Sequence, residues 1–196
     1  MNEIIIAGKL ETDPTYLYEI YGEKFFEFNI ATQRDSGYED VIRCVVPEDY
    51  LSGLNKDVLV TIRGEIRTRN YCDESKKTHC EVYVFVKETI KYGEYDDNKV
   101  TIDGFICKTP IYRETPLGRE ICDVLVASNR NCRKSDYIPC VAWGRNAKRI
   151  SSKGVGTKIH IDGRLQSRIY TKDGKDRTAY EVSITRSEET EVGEDE

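Results

Sequence analysis

The clearest strand pattern in the chain is Tyr137-Ile138-Pro139-Cys140-Val141-Ala142-Trp143-Gly144-Arg145-Asn146-Ala147. Successive side chains of a strand point to opposite faces, so this stretch divides into two sets. The small apolar set is Ile138, Cys140 and Ala142. The opposite set is Tyr137, Pro139, Val141 and Trp143. Small apolar residues suit a packed interior, and rings beside basic residues suit a surface that stacks on a flat ligand.

The chain repeats itself around this stretch. Identities at a spacing of 96 residues include Asn2/Asn98, Gly8/Gly104, Pro14/Pro110, Tyr16/Tyr112, Gly22/Gly118, Ala31/Ala127, Arg34/Arg130 and Cys44/Cys140. Further identities occur at a spacing of 99, among them Gly64/Gly163, Arg69/Arg168 and Tyr71/Tyr170. So many identities in register, with one small gap, indicate that a single domain has been duplicated.

Each copy is patterned mainly as strands. In the second copy we predict strands at 99–107, 119–129, 136–143, 158–170 and 177–185, a loop at 110–118 and a helix at 146–153. The pair Asp173-Gly174 predicts a hairpin turn at 172–175. In the first copy the fourth strand is predicted at 57–71, with a shortened helix near 48–54. Five strands with a short helix between the third and fourth is the order of the OB-fold, so we predict an all-β chain of two tandem, partly open five-stranded barrels.

The predicted domains differ in charge. They are a first OB-fold at 1–92, a linker at 93–97, a second OB-fold at 98–186 and a disordered acidic tail at 187–196. Residues 1–97 carry a net charge of −8, residues 98–186 carry +9, and residues 187–196 carry −6. An acidic half beside a basic half indicates that the two copies have different tasks.

Composition excludes several classes of protein. No apolar run approaches the roughly 18 residues of a membrane helix, and the N-terminus lacks a signal peptide pattern, which predicts a cytoplasmic protein. The seven cysteines are odd in number and lack a Cys-x-x-Cys motif, which argues against a disulfide framework. Cys72, His79 and Cys80 are the one weak metal-site candidate, and we expect no metal and no cofactor.

The fourth strand of the second copy carries a candidate binding face. The parity predicted to face the core contains Ile159, Ile161, Gly163, Leu165 and Ile169. The outward parity contains Arg164, Gln166, Arg168 and Tyr170, to which the preceding loop adds Arg130, Arg133 and Lys134. Cations replace the counterions of a phosphate backbone and rings stack on unpaired bases, so together with Tyr137 and Trp143 this face predicts single-stranded nucleic-acid binding. The alternative is that the rings cap the barrel and the arginines form a solvated surface.

Three segments of the second copy carry a family resemblance: Asp136–Gly144 with Ala147, Ile161–Tyr170 with Asp173-Gly174, and Asn98-x-Val100-x-Ile102-x-Gly104 with Pro110 and Gly118. Together they resemble the bacterial single-stranded DNA-binding protein (SSB) family. The resemblance implies that the aromatics Tyr137, Trp143 and Tyr170 stack on DNA bases and that Arg168 contacts phosphate. It further implies sequence-tolerant binding of single-stranded DNA in replication, recombination or repair, and a place at the nucleoid.

The first copy resembles the family less closely. Val41 stands at the position of Tyr137 and Pro47 at that of Trp143, which leaves Tyr71 as its one matching ring. Arg67 and Arg69 keep the outward parity and are predicted phosphate contacts, but the net charge favours an auxiliary or assembly domain. The resemblance implies a homodimer presenting four OB-folds. It also implies replication or repair proteins as partners through the acidic tail, although this tail ends without the family's hydrophobic tip.

Two other function classes are open to test. The alternative binding class is an OB-fold interaction module, either of primosome-accessory type or a plasmid- or phage-borne relative, acting mainly through protein contacts. An enzyme is the third class, and the sequence argues against it: there is no phosphate-binding Gly-rich loop, no nucleophile elbow and no His-Glu-x-x-His motif. We therefore predict a binding protein without catalytic residues.

Overall fold

A computed structural model describes residues 1–72, 76, 78–90, 98–130, 134–172 and 174–190, without the side chains of residues 172 and 175. Several predicted features lie outside the described residues. They are the linker at 93–97, the candidate contact Arg133, Asp173 of the predicted turn, and the end of the chain from residue 191.

The first copy is a closed barrel. Its strands are β1 (Asn2–Leu10), β2 (Thr15–Ile20), β3 (Glu23–Gln33), β4 (Glu39–Pro47), β5 (Leu59–Cys72) and β6 (Thr78–Ile90), with a 3-10 turn at Glu48–Tyr50. The hydrogen-bonded order is β2-β3-β4-β6-β5-β1, and a further pairing of β1 with β3 closes the ring. The β4–β6 pairing is parallel, whereas the other pairings described in this copy are antiparallel.

The second copy repeats this order. Its elements are β7 (Asn98–Ile106), β8 (Ile111–Glu114), β9 (Glu120–Asn129), β10 (Ser135–Trp143), α1 (Arg145–Ser151), β11 (Lys158–Lys172) and β12 (Lys175–Glu189). The order is β7-β11-β12-β10-β9-β8, with β7 and β9 pairing to close the barrel. β8 lies at the edge of this order, so the closed ring consists of β7, β9, β10, β11 and β12. α1 lies between the third and fourth of these five strands, and the predicted all-β fold of two tandem OB-folds is confirmed.

Three predicted elements differ from the structure. The predicted loop at 110–118 contains the strand β8, which is too short to show a convincing alternation and forms by pairing with the edge of β9. The helix predicted near 48–54 is only a 3-10 turn, and its Pro47 N-cap makes no side-chain capping bond. The predicted tail begins too early, because β12 runs to Glu189 and buries Ser187.

The compact units of the structure exchange segments between the copies. The C-terminal unit contains Met1–Asn2, Val100–Leu165 and the described residues from Glu181 onward. The N-terminal unit contains Glu3–Lys99 and also Gln166–Tyr180, the distal part of the β11–β12 hairpin. We call Gln166–Tyr180 the arm. The second copy thus supplies a piece of the first unit, which the repeat boundaries at 92 and 98 do not reveal.

The alternation of β10 is largely confirmed. The small apolar set is buried, whereas Tyr137 and Trp143 are 46% and 42% exposed. Val141 was predicted to face outward and is only 3% exposed. It lies between a partner on β9 and a partner on β12, while the registered β12 pairing covers only Cys140–Ala142. The middle of β10 therefore has a paired strand at each edge. Its ends, which carry Tyr137 and Trp143, lie outside the registered pairing with β12.

Barrel closure depends on glycines at matching positions of the two copies. A Cβ at Gly8 would lie 2.1 Å from the carbonyl oxygen of Ala31, and one at Gly104 would lie 2.5 Å from that of Ala127. These are the places where β1 crosses β3 and β7 crosses β9. No side chain larger than hydrogen fits such an approach, since the obstacle is backbone and cannot rotate away.

Replacing Gly104 by alanine tests this constraint. We expect Gly104→Ala to lower the free energy of unfolding of the second barrel by about 1–3 kcal/mol, because the methyl group forces β7 away from β9. The measurement is denaturant unfolding followed by the fluorescence of Trp143, the one tryptophan, which lies in this barrel.

Gly154→Ala is the matched control. A Cβ there meets nothing within 4 Å. The control should stay within about 1 kcal/mol of the wild-type protein. Equal losses in the two variants would contradict the closure argument.

The N-terminus is anchored to the C-terminal unit through Asp103. The Met1 ammonium lies 3.3 Å from Asp103 Oδ2, and Nδ1 of His160 lies 2.7 Å from Asp103 Oδ1. The Asp103 amide also donates to the Met1 carbonyl at 2.7 Å. Burial by itself raises the pKa of the Asp103 carboxyl, but the hydrogen bonds from His160 and the ammonium outweigh it and hold that pKa below its usual value.

A lowered carboxyl pKa predicts a pH-dependent contribution to stability. The contribution is present above the unfolded pKa of about 3.9 and is lost as the pH falls through the lower folded pKa. Because the group is partly exposed, we expect Asp103→Asn to lower the free energy of unfolding at pH 7 by only about 1 kcal/mol or less. Urea unfolding at pH 7 and near pH 3 measures both values, and a difference that stays constant between them would contradict the argument.

Candidate nucleic-acid interface

The two rings of β10 share one outer face of the C-terminal unit. Tyr137 pairs with Ala127 of β9, and Trp143 pairs with Ile121 near the other end of the same two strands. Six residues of strand separate them, which places their Cα atoms roughly 20 Å apart. They are therefore two stacking surfaces rather than one, each suited to a different base of an extended strand.

Trp143 stands where the strand turns into the helix. Gly144 follows it with φ +54° as the N-cap of α1, and its amide donates to the carbonyl of Glu120 at 2.9 Å. The side chain of Glu120 lies 2.7 Å from Lys148 Nζ. The ion pair lowers the pKa of Glu120, and the contact with Glu120 raises the pKa of Lys148. The turn fixes the direction in which the indole leaves the sheet.

One cation that the sequence did not indicate lies two strands away from Trp143. Arg113 of β8 pairs with Ile121 of β9, and Ile121 pairs with Trp143 of β10. The three residues therefore form one cross-strand row. The Arg113 guanidinium lies 2.8 Å from Asp123 and is more than half exposed. The sequence could not place it on a strand, because the four residues of β8 carry too little alternation.

Arg130 is held by a buried carboxylate. Its Nε donates to Asp136 Oδ2 at 2.6 Å, its Nη2 pairs with the other oxygen, and Asp136 is 1% exposed. The first copy contains the same pair, Arg34 with Asp40. The charge of Arg130 is therefore already matched, and its phosphate contact stays a prediction. Lys134 of the same loop is exposed.

The outward set of β11 is divided between the two units. Arg164 lies in the C-terminal unit, whereas Gln166, Arg168 and Tyr170 belong to the arm. Arg168 is exposed, and its guanidinium carbon lies 5.8 Å from the centre of the half-buried Tyr170 ring. Among the described residues no carboxylate forms an ion pair with Arg168.

The inward parity of β11 is confirmed as far as Leu165 and fails at Ile169. Ile159, Ile161 and Leu165 are buried, but Ile169 is 65% exposed. The strand leaves the second barrel at Gln166, so the core that buries the earlier residues no longer lies beneath it. Ser167 is the last buried residue of the alternation.

The corresponding arginines of the first copy have acidic partners. Arg69 lies 2.9 Å from Glu81, and Arg67 lies 3.2 Å from Glu65 while its guanidinium carbon stands 3.5 Å from the Phe85 ring centre. Guanidinium groups held in this way have less charge to offer a phosphate. The predicted contacts of Arg67 and Arg69 are thus weaker candidates than Arg168.

Tyr71, the remaining ring of the first copy, is already stacked. Its ring centre lies 5.4 Å from that of His79, at an interplanar angle of 26°. His79 Nδ1 in turn lies 3.3 Å from an Arg177 Nη1 of the arm. One face of Tyr71 is therefore covered within the protein, while the side chain remains 44% exposed.

The described part of the chain contains no group of three or more His, Cys, Asp or Glu side chains arranged to hold a metal ion. Of the weak candidates, Cys72 has its sulfur 3.8 Å from the Thr78 hydroxyl, and the ring of His79 stacks on Tyr71. No helix among those residues is both long enough and apolar enough to span a membrane.

Comparison with known proteins gives consistent matches. Residues 1–91 and 97–189 each match the model of the single-strand binding protein family. The single-stranded DNA-binding protein 2 of Streptococcus agalactiae serotype V is 37% identical over 92 residues, which covers 43% of this chain and 70% of that protein. The single-stranded DNA-binding protein A of Bacillus subtilis is 35% identical over 80 residues, 37% of this chain and 46% of that protein.

Solved structures show the same fold over the whole length. The wild-type single-stranded DNA binding protein from Thermus aquaticus superposes with a TM-score of 0.78, covering 98% of this chain and 94% of that one, at 22% identity. Membership of a binding family agrees with the prediction that the chain is not an enzyme. Since the family model matches both copies almost completely, this chain belongs to the single-strand binding protein family.

Proposed function

We propose that the chain binds single-stranded DNA with little preference among sequences, mainly through its second copy. The observation that carries this proposal is the pair of exposed rings, Tyr137 and Trp143, on one outer face of β10. Aromatic side chains stack on any base and are worth about 1–3 kcal/mol per base. The relatives from Streptococcus agalactiae and Bacillus subtilis are themselves named as single-stranded DNA-binding proteins.

Electrostatics support the second copy as the main binder. Residues 98–186 carry +9 against −8 for residues 1–97. Glu65 of the first copy corresponds to Arg164 at a spacing of 99 residues, and Glu81 corresponds to Ala179 at the spacing of 98 given by the matching β4–β6 and β10–β12 pairings. The carboxylates that pair with Arg67 and Arg69 therefore have no acidic counterparts in the second copy. Arg168 and Tyr170 of the arm are proposed as a second contact set.

The sequence predictions on assembly, cellular process and additional contact residues extend this proposal. We propose a homodimer presenting four OB-folds, action in replication, recombination or repair at the nucleoid, and further phosphate or base contacts from Arg164, Gln166, Arg130, Arg133 and Lys134. The first copy is proposed to act chiefly as an auxiliary domain. The primosome-accessory alternative has no specific observation in its favour and becomes an outcome of the experiments below.

Removing the rings tests the stacking role. We expect Trp143→Ala and Tyr137→Ala each to weaken binding of a labelled oligo(dT) by roughly 5-fold to 100-fold, because each removes the ring on which one base stacks. Fluorescence anisotropy at fixed low salt measures the affinity. Tyr50→Ala is the control, since Tyr50 is an exposed ring of the first copy outside the predicted face.

Unchanged affinity in both ring variants would contradict the stacking role and favour an interaction module acting through protein contacts. An equal loss in Tyr50→Ala would show that any exposed ring contributes, and that the face of β10 is not the site.

Matched arginines test the electrostatic difference between the copies. Arg168 and Arg69 occupy equivalent repeat positions, but Glu81 pairs only with Arg69. We expect Arg168→Gln to reduce the slope of log affinity against log salt by about 0.7, the value for one phosphate contact on a single strand. Arg69→Gln should change the slope less. Anisotropy titrations over a salt series measure both, and equal slope changes would contradict the assignment of binding to the second copy.

A further inference from the structure

The buried carboxylate of Asp40 joins the first copy to the arm. Asp40 is 1% exposed and accepts both donors of Arg34, Nε at 2.7 Å and Nη2 at 2.6 Å. Its Oδ1 also accepts the amide of Ser167 at 2.6 Å and the Ser167 hydroxyl at 3.1 Å. Arg34 Nη2 completes the set by donating to the Ser167 carbonyl oxygen at 3.1 Å.

These contacts hold a single residue of the arm by every polar group it has. Ser167 offers one amide, one carbonyl and one hydroxyl, and each is engaged by the Arg34–Asp40 pair. Hydrogen bonds to ionised groups are shorter and stronger than neutral ones, and burial removes the competition of water. The position and rotation of the backbone at Ser167 are therefore fixed.

Fixing Ser167 also fixes its neighbours. Side chains alternate along a strand, so an inward Ser167 directs Arg168 to the opposite face, and Tyr170 shares the parity of Arg168. A slip of one residue would turn both of them inward. Ser167 is buried, Arg168 beside it is exposed, and Ile169 has no core beneath it to hold the strand.

We infer that Asp40 and Arg34 are positioning residues for Arg168 and Tyr170, the contact set of the arm. The first copy serves DNA binding by holding a segment of the second copy in its binding orientation. This inference rests on the proposed function, and it gives the acidic copy a task that needs no phosphate contact of its own.

A double-mutant cycle separates positioning from general stability. We expect Asp40→Asn to weaken oligo(dT) binding about fivefold in the wild-type background and less than about twofold in an Arg168→Ala/Tyr170→Ala background, where nothing remains to be positioned. With Trp143→Ala, which lies in the other unit, the losses should multiply. All proteins are full-length and their unfolding is measured in parallel.

Two further variants protect the test against loss of folding. Ser167→Ala removes only the hydroxyl contact and should reproduce the same background dependence with a loss of about twofold. Ile6→Val shortens a buried side chain of the first barrel that is not among the hydrogen-bond partners of Ser167. It should lower stability without changing the affinity.

The outcomes are distinguishable. A loss from Asp40→Asn or Ser167→Ala that is the same in every background, or that Ile6→Val reproduces, overturns the positioning role. If Arg168→Ala/Tyr170→Ala binds as tightly as the wild type while Trp143→Ala binds weakly, the positioning role is also overturned. The proposed function then still stands. Absence of any oligo(dT) binding by the wild-type protein overturns the proposed function itself.

Discussion

The close approach of backbone to backbone at the barrel seams is the constraint on which the rest depends. At Gly8 and Gly104 a carbonyl oxygen of the neighbouring strand occupies the space of a Cβ. Closure there leaves β4 and β10 as the strands that pair in parallel with β6 and β12. The outer face of β10 is open at both ends, where Tyr137 and Trp143 are exposed, whereas on β4 the corresponding Val41 is exposed and Pro47 is buried. What each copy does with that face depends on a few side chains.

The two copies show how little change converts one surface into the other. Val41 and Pro47 replace the two rings, and Glu65 and Glu81 place carboxylates beside arginines that the duplication retained. Of these positions Val41 is exposed, Glu65 and Glu81 are partly exposed and only Pro47 is buried, so most of the exchanges affect the stability of the barrel little. Binding tolerates them poorly, because stacking and phosphate contact both act through that surface. Function can therefore diverge between the copies while the fold is preserved.

The sequence predicted the burial of a residue where that burial depends on its own strand. It failed where burial or pairing depends on a segment distant in the sequence. Alternation in β10 and β11 predicted which residues are buried because each strand lies on its own barrel. Ile169 escaped that rule, since its part of the strand belongs to the arm and packs with the other copy. β8 escaped because four residues carry too little pattern. The candidate rings followed from parity, but the pairing of Tyr71 with His79 depends on a hairpin register that no single strand encodes.

The Arg–Asp pairs show how a repeat can separate scaffold from site. Taken alone, Arg130 is a cation in a basic domain and predicts a phosphate contact. The same arginine, with an aspartate six residues later, also occurs in the acidic copy, as Arg34 and Asp40. In both copies the buried aspartate binds the arginine through both carboxylate oxygens, so the pair has the same structural role in each barrel. In the first copy the pair also binds Ser167 of the arm. The repeat could not predict this contact, because the arm is part of the second copy in sequence and of the N-terminal unit in the structure.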